Sequence, residues 1–199
     1  MSDISHIERI FALPADERDR RLRHDAALRD LLPEVYALRG IQQPPDYHPE
    51  GDAFTHTLLA VYHLPEGADR RLAWAALLHD IGKAQTTQRI DGRWRAFGHD
   101  RVGETLAERR LEQLGMPAQA REDVCWLIRH HMFALSWQID DLRQLSRRQK
   151  RFIADPRFPL LVDLMSVDAM ASGPNRAKLN ESAFYRRARA IYGNPPVDC

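Results

Sequence analysis

The sequence predicts an all-α protein, a compact bundle of helices in a single domain, and three observations carry that prediction. Apolar residues recur at the three- and four-residue spacing of an amphipathic helix in one segment after another. Most of the twelve prolines and ten glycines fall between those segments rather than inside them. Only one stretch, around Asp91-Gly92, carries a hairpin-like alternation. With 199 residues, 44% of them hydrophobic, the chain can bury a sizeable core but is too short for a second full domain. The core is expected over residues 31–173, with an N-terminal helical extension over 1–30 and a C-terminal helical tail over 174–199. No internal repeat or low-complexity stretch interrupts this reading.

The elements follow in order. Residues 17–31, rich in Arg, Asp and Leu, predict one helix; Pro33 opens a short one over 33–38 that Gly40 stops. The stretch QQPPDYHPEGD, 42–52, holds three prolines and a glycine and is read as an irregular loop. Asp52 is placed to cap a helix running to Leu64. Residues 68–81 are apolar on nearly every side from Leu72 to Leu78, as expected of a helix surrounded by protein, and Gly82 is expected to end it. The segment 86–97 is either a hairpin turning at Asp91-Gly92 or a plain loop. Helices are then expected over 100–114, 118–133, 142–154, 159–171 and 181–191.

Composition excludes several classes of function. Lys plus Arg number 29 and Asp plus Glu 28, so no whole-molecule field pulls the chain toward nucleic acid or membrane. Cys125 and Cys199 are too few and too badly placed for a disulfide framework or a thiolate metal site, which points to a reducing cytoplasm. No stretch approaches the roughly 18 apolar residues of a membrane span, and polar residues follow Met1. The expectation is a soluble, unprocessed cytoplasmic protein.

The chemistry concentrates in LLHDIGK, residues 77–83, where His79 and Asp80 stand side by side in the most apolar segment of the chain. A buried carboxylate costs several kcal/mol without compensation, so a cation or a donor network is expected beside it. An isolated His-Asp pair is more often a capping Asp with a core His; other ligands decide the matter. His56 shares a helical face with Leu59, Ala60 and His63, and taken alone it reads equally well as a core histidine. Asp168 continues the stripe of Leu161, Leu164 and Met165, which Asp163 does not. The stripe of Val124, Leu127 and Ile128 continues to His131 and leaves His130 rotated away. His99 sits in FGHDRVGE, in the turn before a helix, from which a side chain can reach over a pocket. His6, His24, His48 and His63 have no comparable placement and are read as surface or loop residues.

The order His56, His79-Asp80, Asp168 resembles the H…HD…D signature of the HD superfamily of metal-dependent phosphohydrolases. The phrases GIQQPPDYHPEGDAFTHTLLAV, LLHDIGKAQTT, FGHDRVGETLA, WLIRHHM and RFPLLVDLMSVDAMASG more specifically resemble the HD region of bacterial CCA-adding tRNA nucleotidyltransferases. The likeness covers about 31–173. The nucleotidyltransferase head, with its Gly-rich strand-turn and paired carboxylates, has no counterpart in these residues, so the chain is not expected to add CCA.

The resemblance implies a helical HD bundle and a divalent metal held by His56, His79, Asp80 and Asp168. In two-metal relatives the Asp of the pair bridges to a second ion held by extra histidines, a role that would fall here to His99 and His131. The mixed N/O donor set suits Mn, Fe, Ni, Co, Zn or Mg, one or two ions per chain, better than calcium. The implied reaction is hydrolysis of nucleotide-type phosphomonoesters or phosphodiesters, such as 2',3'-cyclic nucleotides or nucleoside 2'-phosphates, by metal-activated water, with Asp80 and Lys83 in the catalytic group. Lys83, Arg101 and Glu50 are the candidate substrate-binding residues; Lys83 reads equally as a solvated lysine, and Glu50 either as a rim residue or as a brace of its loop. The competing reading is an auxiliary tRNA- or RNA-binding module, with the basic runs RDRRLR, RRQKR and RRAR as its contacts, although runs of this kind are usually solvated helix faces. Oligomeric state is not readable from the sequence.

Overall fold

The computed structural model describes residues 3–137, 139–173 and 176–193, and among these the regular elements are helical apart from one short hairpin. The all-α expectation holds. The first helix, α1 (Asp3–Phe11), buries Ile7, Ile10 and Phe11 on one stripe. The expected helix over 17–31 is two, α2 (Ala15–His24) and α3 (Ala26–Leu31). Asp25 divides them: it takes extended backbone, and its carboxylate accepts from the Ala27 N–H to cap α3. Pro33 opens α4 (Pro33–Tyr36), and Gly40, at φ +76°, turns the chain after it.

Buried Arg18 fastens this N-terminal part to the rest. Its guanidinium donates to the carbonyls of Phe11 (2.9 Å), Tyr62 (3.1 Å) and Leu64 (3.1 Å), giving charged donors to the carbonyl-rich end of α1 and to the end of the helix that begins at Ala53. Fully buried Trp74 meets Phe11 edge to face at 5.3 Å, and its Nε1–H donates to Glu8. Such an aromatic contact contributes about 1 kcal/mol beyond the area it buries.

Asp52 caps α5 (Ala53–Tyr62) as expected, accepting from the Thr55 N–H, and its second oxygen accepts from the Gly40 N–H. In α6 (Arg70–Leu78) every residue from Leu72 to Leu78 is buried. The expected end at Gly82 is corrected: α6 stops at Leu78, and residues 79–82 form a turn into α7 (Lys83–Thr86). Gly82 keeps helical dihedrals (φ −66°), so it is not a left-handed stop. It is glycine because α7 and the next helix meet there, where a Cβ would lie 2.1 Å from the His99 carbonyl oxygen.

The hairpin is β1 (Gln88–Ile90) and β2 (Arg93–Arg95), antiparallel with Arg89 opposite Trp94. Asp91 and Gly92 both have positive φ (49° and 74°), as a type I′ turn requires. Then come α8 (His99–Gln113), α9 (Ala118–His130) and α10 (Phe133–Trp137). The single helix expected over 118–133 breaks at His131 and Met132. After a 3-10 turn at Leu142–Gln144, α11 (Arg147–Ala154) begins at a capping box of Ser146 and Gln149, and α12 (Phe158–Ala171) and α13 (Arg176–Tyr192) follow as the last elements among the described residues.

Helix α12 lies against α5, α6 and α9, and α6 lies against α5 and α9; these four enclose the centre of the molecule. α8 packs along α9, and α13 packs along α12 and α11. Among the described residues, no helix is long and apolar enough to cross a membrane.

Candidate metal centre

Three histidines are oriented by the same local device. His79, His99 and His131 each point Nδ1 at the carbonyl three residues earlier, Ala76 (2.9 Å), Ala96 (2.7 Å) and Ile128 (2.7 Å). A carbonyl only accepts, so each Nδ1 carries the proton and each Nε2 turns a lone pair inward. Two of these residues are the first positions after a helix, α6 for His79 and α9 for His131, where the last-turn carbonyls have no helical N–H to receive. His99 opens α8 after Gly98, whose positive φ (75°) folds the chain back over the centre; the expectation of a turn residue is corrected to a first helical residue. His56, one turn into α5 and fully buried, is held differently: its Nδ1 lies 2.6 Å from Glu50 Oε1.

The Nε2 atoms converge on the carboxylate of Asp80, which is itself buried in the turn after α6. Oδ2 faces His79 Nε2 at 3.3 Å and His56 Nε2 at 3.7 Å; Oδ1 faces His99 Nε2 at 3.4 Å and His131 Nε2 at 3.9 Å. Asp168, on α12, brings Oδ1 to 2.9 Å from His56 Nε2. Two ligand groups face Asp80 or include it, His56–His79–Asp168 and Asp80–His99–His131, and a third, His48–Glu50–His56, lies behind His56; the donor atoms in each lie within 4.8 Å of one another.

These donors fit a divalent cation. His79 Nε2 is buried without a hydrogen bond, and the facing Nε2 atoms of His56 and His79 stand around a buried carboxylate whose only cationic neighbour within 3 Å among the described residues is Lys83, so a divalent cation would complete the set. His99 and His131 bring their Nε2 atoms to 3.1 Å while both Nδ1 atoms donate elsewhere, so two lone pairs face each other and call for a cation between them.

The electrostatics divide along the same line. Burial opposes charge on His56, but its bonds to Asp168 and Glu50 outweigh that and push it up to about 9. Burial, with His99 and His79 nearby, pushes His131 down to about 3. Burial also opposes the Asp80 carboxylate, yet the His79 ring beside it and the Lys83 ammonium hold it well below the usual range. Glu50, despite its burial, is held at about 2 by His48 and His56.

The remaining sequence candidates fall as follows. Glu50 is not on a pocket rim: its Oε1 joins His56 Nδ1 and His48 Nδ1 (2.9 Å), so it braces the centre from the loop before α5. Lys83 is not a solvated lysine: its Nζ lies 2.7 Å from Asp80 Oδ2 and 2.6 Å from Gln43 Oε1. Arg101 is exposed and lines a neighbouring cavity rather than the one that His99 reaches. Asp163 points to the surface, 2.7 Å from Arg186, and His130 packs between Trp126 and Phe152, so neither joins the cluster. Two residues were missed, His48 and Gln43. Both lie in the proline-rich loop, where no periodicity says which side chains turn inward; the HPEGD phrase was the available signal for His48.

A cavity of about 370 Å³ opens beside this centre. His48, Lys83 and His99 reach it from the centre, Trp94 and Arg95 from the hairpin, Phe97 from the segment after it, and Leu135 from α10.

A model of the HD domain matches residues 46–171. The Multifunctional CCA protein of Alkalilimnicola ehrlichii is 41% identical over 116 residues, which is 58% of this chain and 28% of that protein. The Multifunctional CCA protein of Psychromonas ingrahamii is 31% identical over 169 residues, 82% of this chain and 41% of that protein. The CC-adding tRNA nucleotidyltransferase of Thermus thermophilus is 38% identical over 148 residues, 71% of this chain and 32% of that protein. The chain therefore spans less than half the length of these curated relatives.

Proposed function

The chain belongs to the HD-domain family, and from that premise we propose that it is a metal-dependent phosphohydrolase with two divalent ions per chain, acting on nucleotide-type phosphoesters. One observation carries the reading: a single buried carboxylate, Asp80, stands between two sets of donors whose Nε2 atoms face it, three of the four histidines having their tautomers fixed by backbone carbonyls and the fourth, His56, held by Glu50. In this assignment His56, His79, Asp168 and Asp80 hold one ion, and Asp80, His99 and His131 hold the other. Bound there, the ions supply positive charge for phosphate oxygens and lower the pKa of coordinated water toward neutrality.

The chain's own residues supply position. Lys83 lines the cavity with its ammonium already fixed by Asp80 and Gln43, so it meets a phosphate oxygen without first losing side-chain freedom. His48 faces the same cavity with Nδ1 bonded to Glu50. Trp94 and Phe97 offer aromatic surface to a base. A substrate class of 2',3'-cyclic nucleotides or nucleoside 2'-phosphates fits a cavity of this size and lining.

The test is hydrolysis of a nucleotide panel and a chromogenic phosphodiester with Mn, Ni, Co and Mg added in turn. The wild type is expected to turn over at least one substrate with at least one ion, and Asp80→Ala to abolish it. A second reading draws on the relatives, which are named for tRNA nucleotidyltransferase or CCA activity: an auxiliary RNA-binding module. Protein that binds no metal, hydrolyses nothing and yet binds tRNA with steep salt dependence would favour that second reading.

A further inference from the structure

Lys83 is a cation set among the ligands of a cation site, and the two charges compete for one atom. Its Nζ lies 2.7 Å from Asp80 Oδ2, the oxygen that also faces the Nε2 atoms of His79 at 3.3 Å and His56 at 3.7 Å. An ammonium and a divalent ion on one carboxylate oxygen repel each other, and a buried site screens that repulsion poorly. Binding of the ion assigned to His56, His79 and Asp168 therefore drives the ammonium off Oδ2. The cost of that step depends on what else holds it.

Gln43 holds it. Its Oε1 is 2.6 Å from Lys83 Nζ, and among the described residues Nζ has no hydrogen-bond or ion-pair partner besides Gln43 and Asp80. Lysine only donates, so the amide turns its oxygen to Nζ and its nitrogen away. That nitrogen lies 3.5 Å from the Gly51 carbonyl, at the long limit of a hydrogen bond. The sequence explains the placement: Pro44 disfavours helical backbone at Gln43, and Gly51, at φ +118°, lets the far end of the loop return beside it. Gln43 is 5% exposed, so water does not readily take over from its oxygen.

We propose that Gln43 is a positioning residue that receives the Lys83 ammonium when an ion takes Asp80 Oδ2, so that metal affinity at the shared carboxylate depends on a neutral oxygen in the proline-rich loop. The proposal rests on the metal assignment of the phosphohydrolase reading. A neutral acceptor accommodates the displaced charge without adding a further ligand to the ion.

The experiment measures Mn affinity by chelator competition, together with Tm, for the wild type, Gln43→Met, Gln43→Glu, Lys83→Met and the double variant Gln43→Met/Lys83→Met. Gln43→Met keeps the length of the side chain and removes its acceptor. It is expected to weaken the ion at His56, His79 and Asp168 about tenfold or more, the scale of a hydrogen bond to a charged group. With Lys83→Met already in place the same substitution is expected to change nothing, because no ammonium needs holding. Gln43→Glu separates the acceptor from a brace of the loop: it keeps an oxygen toward Nζ and loses the N–H toward Gly51. Its Mn affinity is expected to be at least that of the wild type, even where Tm falls. Affinity unchanged in Gln43→Met, or lowered equally with and without Lys83, or left low in Gln43→Glu, overturns the proposal whether or not the protein hydrolyses a phosphoester. Hydrolysis of the nucleotide panel is followed in the same samples. A wild type that binds Mn and hydrolyses nothing defeats the phosphohydrolase reading, and the affinities still decide the role of Gln43. A wild type that binds no Mn defeats both.

Discussion

The two halves of the metal centre use the same residue types and are built by different means. His56 and Asp168 come from within α5 and α12, and His79 from the turn that leaves α6. His99 and His131 come from helix ends, one opening α8 after Gly98 and one closing α9. The first half is acid-rich, with Asp168 and Glu50 holding His56 up at about 9; the second keeps His131 down at about 3. An imidazole of the first half therefore tends to hold a proton that a cation must displace, whereas the second half offers lone pairs that are already bare. Asp80 joins the two and serves both.

The sharpest way to break this comparison is Gly82→Ala. The added methyl would meet the His99 carbonyl oxygen at 2.1 Å and the Gly103 nitrogen at 2.7 Å, backbone atoms that cannot swing aside. α8 must then withdraw and take His99 with it. The expected outcome is a loss of about 1–3 kcal/mol of stability, read as a lower Tm, together with loss of the second ion and retention of the first. Two ions per chain in a protein of unchanged Tm would show that the approach of α8 is not what aims His99.

His131→Ala removes one donor of the second half without touching helix packing around Gly82. Metal analysis is expected to fall from two ions per chain to one, with hydrolysis reduced more than stability. A wild type that holds one ion from the outset would sink the assignment of a second half. Glu50→Gln acts on the other side, exchanging the carboxylate that orients His56 for an amide of the same shape. Removing such a partner typically weakens metal binding about 10- to 100-fold, so competition titration with a chelator should show the first ion weakened and the second unaffected. Equal weakening of both would mean that Glu50 acts through the loop rather than through His56.

What was legible in the sequence follows the same division. Stripe positions on helices could be read because a period of 3.6 residues decides which side faces inward, and so Asp168 and His131 were separated from Asp163 and His130. Asp91-Gly92 encodes its own turn, since both residues tolerate positive φ. Asp52 announced its helix by position. Asp25 did not announce a break between α2 and α3, because a capping residue inside an otherwise helical run looks like one more polar position. Gly82 was misread for a related reason: sequence shows a glycine after a helix, but only packing shows that α8 presses on it. The loop carrying Gln43, His48 and Glu50 had no period at all, so its inward-facing residues surfaced only where a turn at Gly51 and the start of α5 bring them onto His56.

The smallest expected effect tests whether helix face, rather than mere acidity, defines the first half. Asp163 and Asp168 lie five residues apart on α12, which separates them by more than a full turn in sequence and by a different face in space. Asp163 is 35% exposed and bonded to Arg186, itself half in solvent, so the pair is screened by water. Asp163→Asn should change stability by less than about 0.5 kcal/mol and leave the metal count untouched. Asp168→Asn, with the same loss of one charge on the same helix, should weaken the first ion, because its Oδ1 lies 2.9 Å from His56 Nε2. Measured side by side by calorimetry and metal analysis, equal effects would mean that the net negative charge of α12 attracts the cation. Unequal ones place the recognition in the single stripe that turns Asp168, and not Asp163, toward Asp80.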